Sequence, residues 1–144
     1  MEKVDSKLLL NFCIKNKRSL TPTRALIINL LANHKKPRSA YDIQEEINKN
    51  NKNNINISTI YRVLEFWIEL GLVHKISFLN KFFLCVKPDE KHTHMINICT
   101  ECEAIFETCN EEMGLNFKKS TSKFKLSLNN KHSIEVPVLC ESCS

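Results

Sequence analysis

Two short cysteine pairs lie in the second half of this 144-residue chain, Cys99-Thr100-Glu101-Cys102 and Cys140-Glu141-Ser142-Cys143. Each pair can present two thiolates from one tight turn, and two such turns complete the tetrahedral four-sulfur shell that structural zinc prefers. A single pair could serve as a redox dithiol, but two pairs with no βαβ pattern around either favour a metal. The 37 residues between the pairs exceed a compact zinc ribbon, so the site would join the start of a small α/β domain to its end. Strands near 104–107, 124–128 and 133–138, and a helix near 110–120, are expected in that domain.

A second group has a different chemistry. Cys85 ends a β-rich stretch and is expected to face His74 on the preceding one, His92 follows shortly in sequence, and Glu107 falls on a later strand. One soft thiolate, two imidazoles and one carboxylate could form a tetrahedral zinc shell; the same four residues could equally be isolated polar groups. The two sites would differ in charge. Four thiolates around Zn²⁺ leave a net charge of −2, whereas one thiolate and one carboxylate leave none, so the first suits a structural role and the second a reversible one. Cys13, in a helical pattern, and Cys109, just before the expected helix, read as ordinary thiols.

The elements that would carry these groups begin with a helix-turn-helix pattern. Thr21-Pro22 reads as an N-cap and first-turn proline, followed by the apolar run around Ala25, Leu26, Ile28, Leu30 and Leu31. Ser39 with Asp42 resembles a capping box ahead of a stripe at Ala40, Ile43 and Ile47. After the polar run 48–56, Ser58 is expected to cap a third helix with apolar Ile60, Leu64, Trp67, Ile68 and Leu70, which Gly71 ends. Its leftover face carries Ser58, Thr59, Tyr61, Arg62 and Glu65 in the first two turns, where helix-turn-helix proteins present base-contacting residues. Tyr61 can meet a thymine methyl and Arg62 a phosphate or guanine; taken alone, the pair is also what a core aromatic and a surface charge look like. Two β-rich stretches, 72–77 and 82–86, then surround a turn expected at Leu79-Asn80-Lys81, completing the order of a winged helix.

Composition narrows the functional classes. The net charge of +5 resides wholly in residues 1–71, with twelve Lys or Arg against seven Asp or Glu, while residues 72–144 hold nine of each. A basic region suited to a polyanion thus precedes a thiol-rich region suited to a metal. The length leaves no room for an enzyme with separate cofactor and substrate domains. The longest apolar runs fall far short of the about 20 residues of a membrane span, and the first residues lack a secretory pattern. A cytoplasmic protein with seven reduced cysteines, no membrane association and no small-molecule substrate is expected. A zinc deaminase would need His-x-Glu and Pro-Cys-x-x-Cys; the chain has no His-x-Glu and reads Pro137-Val138-Leu139-Cys140.

With these motifs in hand, the chain resembles the ferric uptake regulator family, and most closely its zinc uptake regulator branch. The likeness runs from about Leu20 to Cys143 through Leu20-Thr21-Pro22-Thr23-Arg24, Ser39-Ala40-Tyr41-Asp42, Ser58-Thr59-Ile60-Tyr61-Arg62-Val63-Leu64, Gly71-Leu72-Val73-His74-Lys75 and both cysteine pairs. It implies an α+β protein: a winged helix-turn-helix DNA-binding domain at 1–85, a hinge at 86–92, and a small α/β dimerisation domain with a structural zinc at 93–144. It implies a homodimer that represses metal-uptake genes on a pseudo-palindromic double-stranded operator when metal is bound. Two Zn²⁺ per chain follow from the likeness, a structural ion on Cys99, Cys102, Cys140 and Cys143 and a sensing ion on His74, Cys85, His92 and Glu107. Tyr41, Tyr61 and Arg62 match family DNA contacts, and His94 and His132 resemble ligands of a further, variable site. Family members that sense iron, nickel, manganese or peroxide form the alternative. Against iron and manganese stand Cys85 and the sequence Lys36-Pro37-Arg38 where those members recruit a histidine, His34 lying too far upstream. Glu103 stands where a glycine usually follows the first cysteine pair, and the chain has no histidine-rich tail.

Overall fold

The computed structural model describes residues 5–34, 36–50, 54–85, 94–109, 123–126 and 133–144. The chain forms two compact units, Met1–Cys85 and Val86–Ser144. The expected helix near 110–120, His92 and His132 lie outside the described residues. No helix among those described is long and apolar enough to cross a membrane.

The first unit contains α1 (Ser6–Lys15), α2 (Pro22–Ala32), α3 (Ala40–Asn50) and α4 (Ile57–Glu69), followed by a hairpin of β1 (Val73–Ile76) and β2 (Lys81–Leu84). Thr21 caps α2 by accepting the Arg24 N–H at 3.3 Å, with Pro22 in the first turn where its missing N–H costs nothing. Ser39 and Asp42 form the reciprocal capping box: the Asp42 N–H donates to Ser39 Oγ at 3.1 Å and the Ser39 N–H to Asp42 Oδ2 at 2.9 Å. One expectation is corrected at α4. Its cap is Asn56 rather than Ser58, because Asn56 Oδ1 accepts the Thr59 N–H at 2.9 Å and Ile57 joins the helix with its side chain against the core. Gly71, at φ 77°, closes α4 as expected; the Gly71 N–H reaches Ile68 O and the Leu72 N–H reaches Trp67 O, both at 3.0 Å, a Schellman pairing that needs the left-handed residue.

Burial follows the apolar periodicity. Ile27, Ile28, Ile43, Ile47, Ile60, Leu64 and Trp67 fill the core, together with Leu9 and Cys13 from α1. Cys13 is one of these core residues, and burial pushes its thiol up from the ordinary cysteine range. Trp67 Nε1 donates to Arg24 O at 3.1 Å, so its single polar atom is satisfied.

In the second unit, β3 (His94–Cys99) is the centre of a three-stranded sheet, antiparallel to β4 (Ile105–Cys109) and parallel to β5 (Ile134–Val138). β3 answers to no strand expected from the sequence. Cys109 is the buried last residue of β4, two residues beyond the strand end expected there. The strand expected at 124–128 is contradicted over its described part: residues 123–125 turn, and Lys125 at φ 55° cannot sit in an extended run.

The capping box yields a test. Ser39→Ala should cost about 1 kcal/mol in urea unfolding. The two bonds from Ser39 hold the Asp42 carboxyl below its usual range, with smaller help from Arg38 and Lys81. A carboxyl depressed in the folded state stabilises above its unfolded value of about 4 and loses that contribution as pH falls through the folded value. Asp42→Asn should therefore lower stability at neutral pH and flatten its decline below about pH 4.

Candidate metal centre and nucleic-acid face

The two cysteine pairs converge. Cys99 ends β3, Cys102 follows in the turn, and Cys140 and Cys143 lie just past β5, which runs parallel to β3 and so ends on the same side of the sheet. All four sulfurs lie within 4.8 Å of one another, and Cys102 Sγ is 3.7 Å from Cys140 Sγ. A tetrahedral shell with metal–sulfur bonds of about 2.3 Å has sulfur–sulfur edges of about 3.8 Å, so the donor set fits zinc in both type and spacing. The turn works without a glycine. Glu103 adopts φ 59° and its N–H donates to Cys99 O at 3.0 Å, so the left-handed conformation is kept at a cost of about 1 kcal/mol.

The electrostatics of this cluster are asymmetric. Backbone N–H groups, foremost those of Cys102 and Cys140, stabilise a thiolate at Cys99 and bring its pKa down to about 6. Cys143 is pushed up to about 12, first by its hydrogen bonds to Cys140 and Cys102. With one sulfur readily ionised and another strongly resisting, full ionisation of the quartet calls for a divalent cation.

The second group is described unit by unit. In the first unit β1 and β2 pair with His74 opposite Phe83, so Cys85 does not face His74 directly as expected. Its N–H donates to Leu72 O at 2.9 Å, placing it one step further along, and the loop at 77–80 starts two residues before the expected turn and ends one residue before it. The two residues remain diagonal neighbours: a ring nitrogen of His74 and Cys85 Sγ lie within 4.8 Å, and Cys85 is buried. In the second unit Glu107 lies on β4 as expected. Its carboxylate meets His94 Nδ1 at 2.5 Å, a pairing not foreseen from sequence.

His34, set aside as a ligand, has another role. Its Nε2 lies 3.0 Å from Glu46 Oε2, which also pairs with Arg38 Nη2 at 3.0 Å, and Arg38 Nη1 donates to the same ring.

The candidate nucleic-acid face lies in the first unit. Tyr41 is 62% exposed on α3, and Ser58 and Arg62 are exposed on α4, with Thr59 and Tyr61 half-buried. Ser58 and Thr59 donate their hydroxyls to Asn56 Oδ1 at 2.7 and 2.9 Å, leaving them chiefly as acceptors. Tyr61 packs edge-on against Phe82 with ring centroids 6.3 Å apart, so its ring is both a core contact and an edge of the face. Arg62 is the face's exposed cation among these residues.

Comparison with known proteins agrees with this architecture. The model of the ferric uptake regulator family matches residues 15–136. The chain is 32% identical to the zinc uptake regulation protein of Escherichia coli (strain K12) over 149 aligned positions, covering 99% of this chain and 85% of that protein. Among solved structures, a zinc uptake regulator complexed with zinc and DNA superposes with a TM-score of 0.82 at 30% identity, covering 98% of this chain and 96% of the other. The holo form of XcZur gives 0.80 at 25% identity, covering 95% and 94%.

The raised Cys143 thiol gives a signed prediction. Zn²⁺ added to metal-free protein at pH 7 should release at least one proton per cysteine quartet, and competition against a chelator should show the apparent affinity falling about tenfold or more per unit as pH drops from 8 to 6. Proton release measured in weakly buffered solution checks the first part.

Proposed function

The chain belongs to the ferric uptake regulator family, and from that premise we propose that it is a zinc-responsive repressor of zinc-uptake genes, with zinc as co-repressor, acting as a cytoplasmic homodimer on a pseudo-palindromic double-stranded operator. The thiol-imidazole pair of His74 and Cys85, within 4.8 Å of each other, carries the choice of metal. A thiolate beside an imidazole suits zinc, whereas nitrogen and oxygen donors suit iron and manganese. The likeness to a regulator solved with zinc and DNA supports the same choice.

In this reading each chain uses two zinc ions. Cys99, Cys102, Cys140 and Cys143 hold the structural ion, and His74, Cys85, His92 and Glu107 hold the sensing ion. Bound zinc supplies a filled tetrahedral shell without redox chemistry, leaving no open position for a substrate. His74 and Cys85 belong to the winged-helix residues 1–85, the hinge is 86–92, and Glu107 belongs to the dimerisation residues 93–144. Joint ligation by these residues favours one arrangement of the two domains, and by linkage that arrangement is stabilised in proportion to its greater metal affinity. In the favoured arrangement Tyr41 and the Ser58, Thr59, Tyr61 and Arg62 face of α4 meet the half-sites of the operator.

One observation favours a second assignment of a single ligand. Because Glu107 already contacts His94, His94 in place of His92 could bring the second imidazole to the sensing ion. His92→Ala and His94→Ala separate the two: the true ligand's variant loses zinc-dependent DNA binding, and the other keeps it.

The proposal is tested by titrating zinc into Cys85→Ser protein while following binding to a zinc-uptake promoter fragment. The midpoint should move to at least about tenfold higher zinc, with the quartet's zinc still present; an unchanged midpoint rejects the sensing assignment. Arg62→Ala should weaken the zinc-loaded complex by about tenfold, reflecting about 1–3 kcal/mol for a base contact, without altering metal content.

A further inference from the structure

Phe78 lies in the loop 77–80 between β1 and β2 and is 73% exposed, more than any other large hydrophobic side chain among the described residues. The charges carried by the hairpin itself are of one sign. Residues 73–84 contain His74, Lys75 and Lys81 and no Asp or Glu. Lys75 is exposed, with its ammonium 6.0 Å from the centre of the Phe82 ring, and Lys81 is close enough to Asp42 to help hold that carboxyl ionised.

The loop stands on a rigid base. Phe82 is 2% exposed; it packs against Tyr61 of α4, and its backbone exchanges hydrogen bonds with Arg38, at 2.9 Å from Arg38 N–H and 2.7 Å to Arg38 O. The hairpin is therefore fixed to the helix whose N-terminal turns form the nucleic-acid face and to the residue before the α3 capping box. Four-residue strands carry the loop about 13 Å out from that base. An aromatic ring between lysines suits a polyanion with a base stack that an apolar wedge can open, and duplex DNA is that partner.

We propose that Phe78 is a DNA contact: with α4 in the major groove, the hairpin tip enters the adjoining minor groove, Lys75 and Lys81 lie at the flanking phosphates, and the Phe78 ring presses against a base step. The step would be a flexible pyrimidine–purine one, which opens at least cost. The contact would add selectivity at bases that α4 does not reach. This inference rests on the DNA-binding reading above.

The test uses the full-length, zinc-loaded chain and a duplex that the native protein enriches from a random-sequence pool, with 2-aminopurine at pyrimidine–purine steps outside the α4 footprint. Native protein should raise the 2-aminopurine fluorescence. Phe78→Ser should abolish that rise and weaken binding about tenfold with an unchanged salt dependence, while Phe78→Leu keeps part of both. Lys75→Ala and Lys81→Ala should each reduce the slope of log affinity against log salt by about one. Native affinity and fluorescence in Phe78→Ser would overturn the inference, as would a change in mass or metal content of the DNA-free variant, which would place the ring inside the protein's own contacts. Failure of the native chain to bind any duplex at any zinc level would instead reject the DNA-binding reading, and this inference with it.

Discussion

Four cysteine sulfurs held within 4.8 Å of one another cannot all ionise unless a cation compensates them. The second unit is arranged around that constraint. The parallel pairing of β3 with β5 brings Cys99 and the 140–143 turn to the same end of the sheet, although 37 residues separate the two cysteine pairs. Backbone donors favour the thiolate at Cys99, and its neighbours disfavour ionisation at Cys143. The metal-free cluster is thus electrostatically incomplete, and a tetrahedral dication completes it. Because the ends of this unit meet at the cluster, metal binding there is also folding free energy for β3, β4 and β5.

In the first unit the corresponding junction is Phe82. It touches the recognition helix through Tyr61, the α3 entry through Arg38 and the hairpin through Lys75. A displacement of the hairpin would therefore be felt at Tyr61, one helical turn or less from Ser58 and Arg62. His74 and Cys85 sit on this same hairpin and at its exit. In the proposed function, ligands placed there would report to the nucleic-acid face through packed side chains, a short physical route from a regulatory metal to DNA.

Much of this was legible in the residue pattern, and the misses have physical causes. Thr21-Pro22, Ser39 with Asp42, and Gly71 each act through a local backbone bond that a few consecutive residues determine, so each is legible in the sequence. The α4 cap is not decided by residue type, because Asn56 and Ser58 are both good acceptors two residues apart; the choice depends on Ile57 joining the helix and packing partly buried against the core, a tertiary fact. The His74–Cys85 register shifted because hairpin register follows loop length, and the loop occupies 77–80. β3 is not legible in the sequence because it is buried on both faces and its His94 and Asn97 interrupt a simple alternation. The convergence of the four cysteines was readable from their types and spacing, whereas the His94–Glu107 contact depends on the β3–β4 register and was not.

In the proposed function one metal holds the fold and another governs DNA binding. The direct measurement is zinc per chain, by elemental analysis, followed together with DNA binding as a mild chelator is added. Two zinc ions per chain should fall to one, with DNA binding lost in step and the fold intact, and restored when zinc is returned. A single zinc ion throughout, or DNA binding that persists after the second is removed, would contradict it.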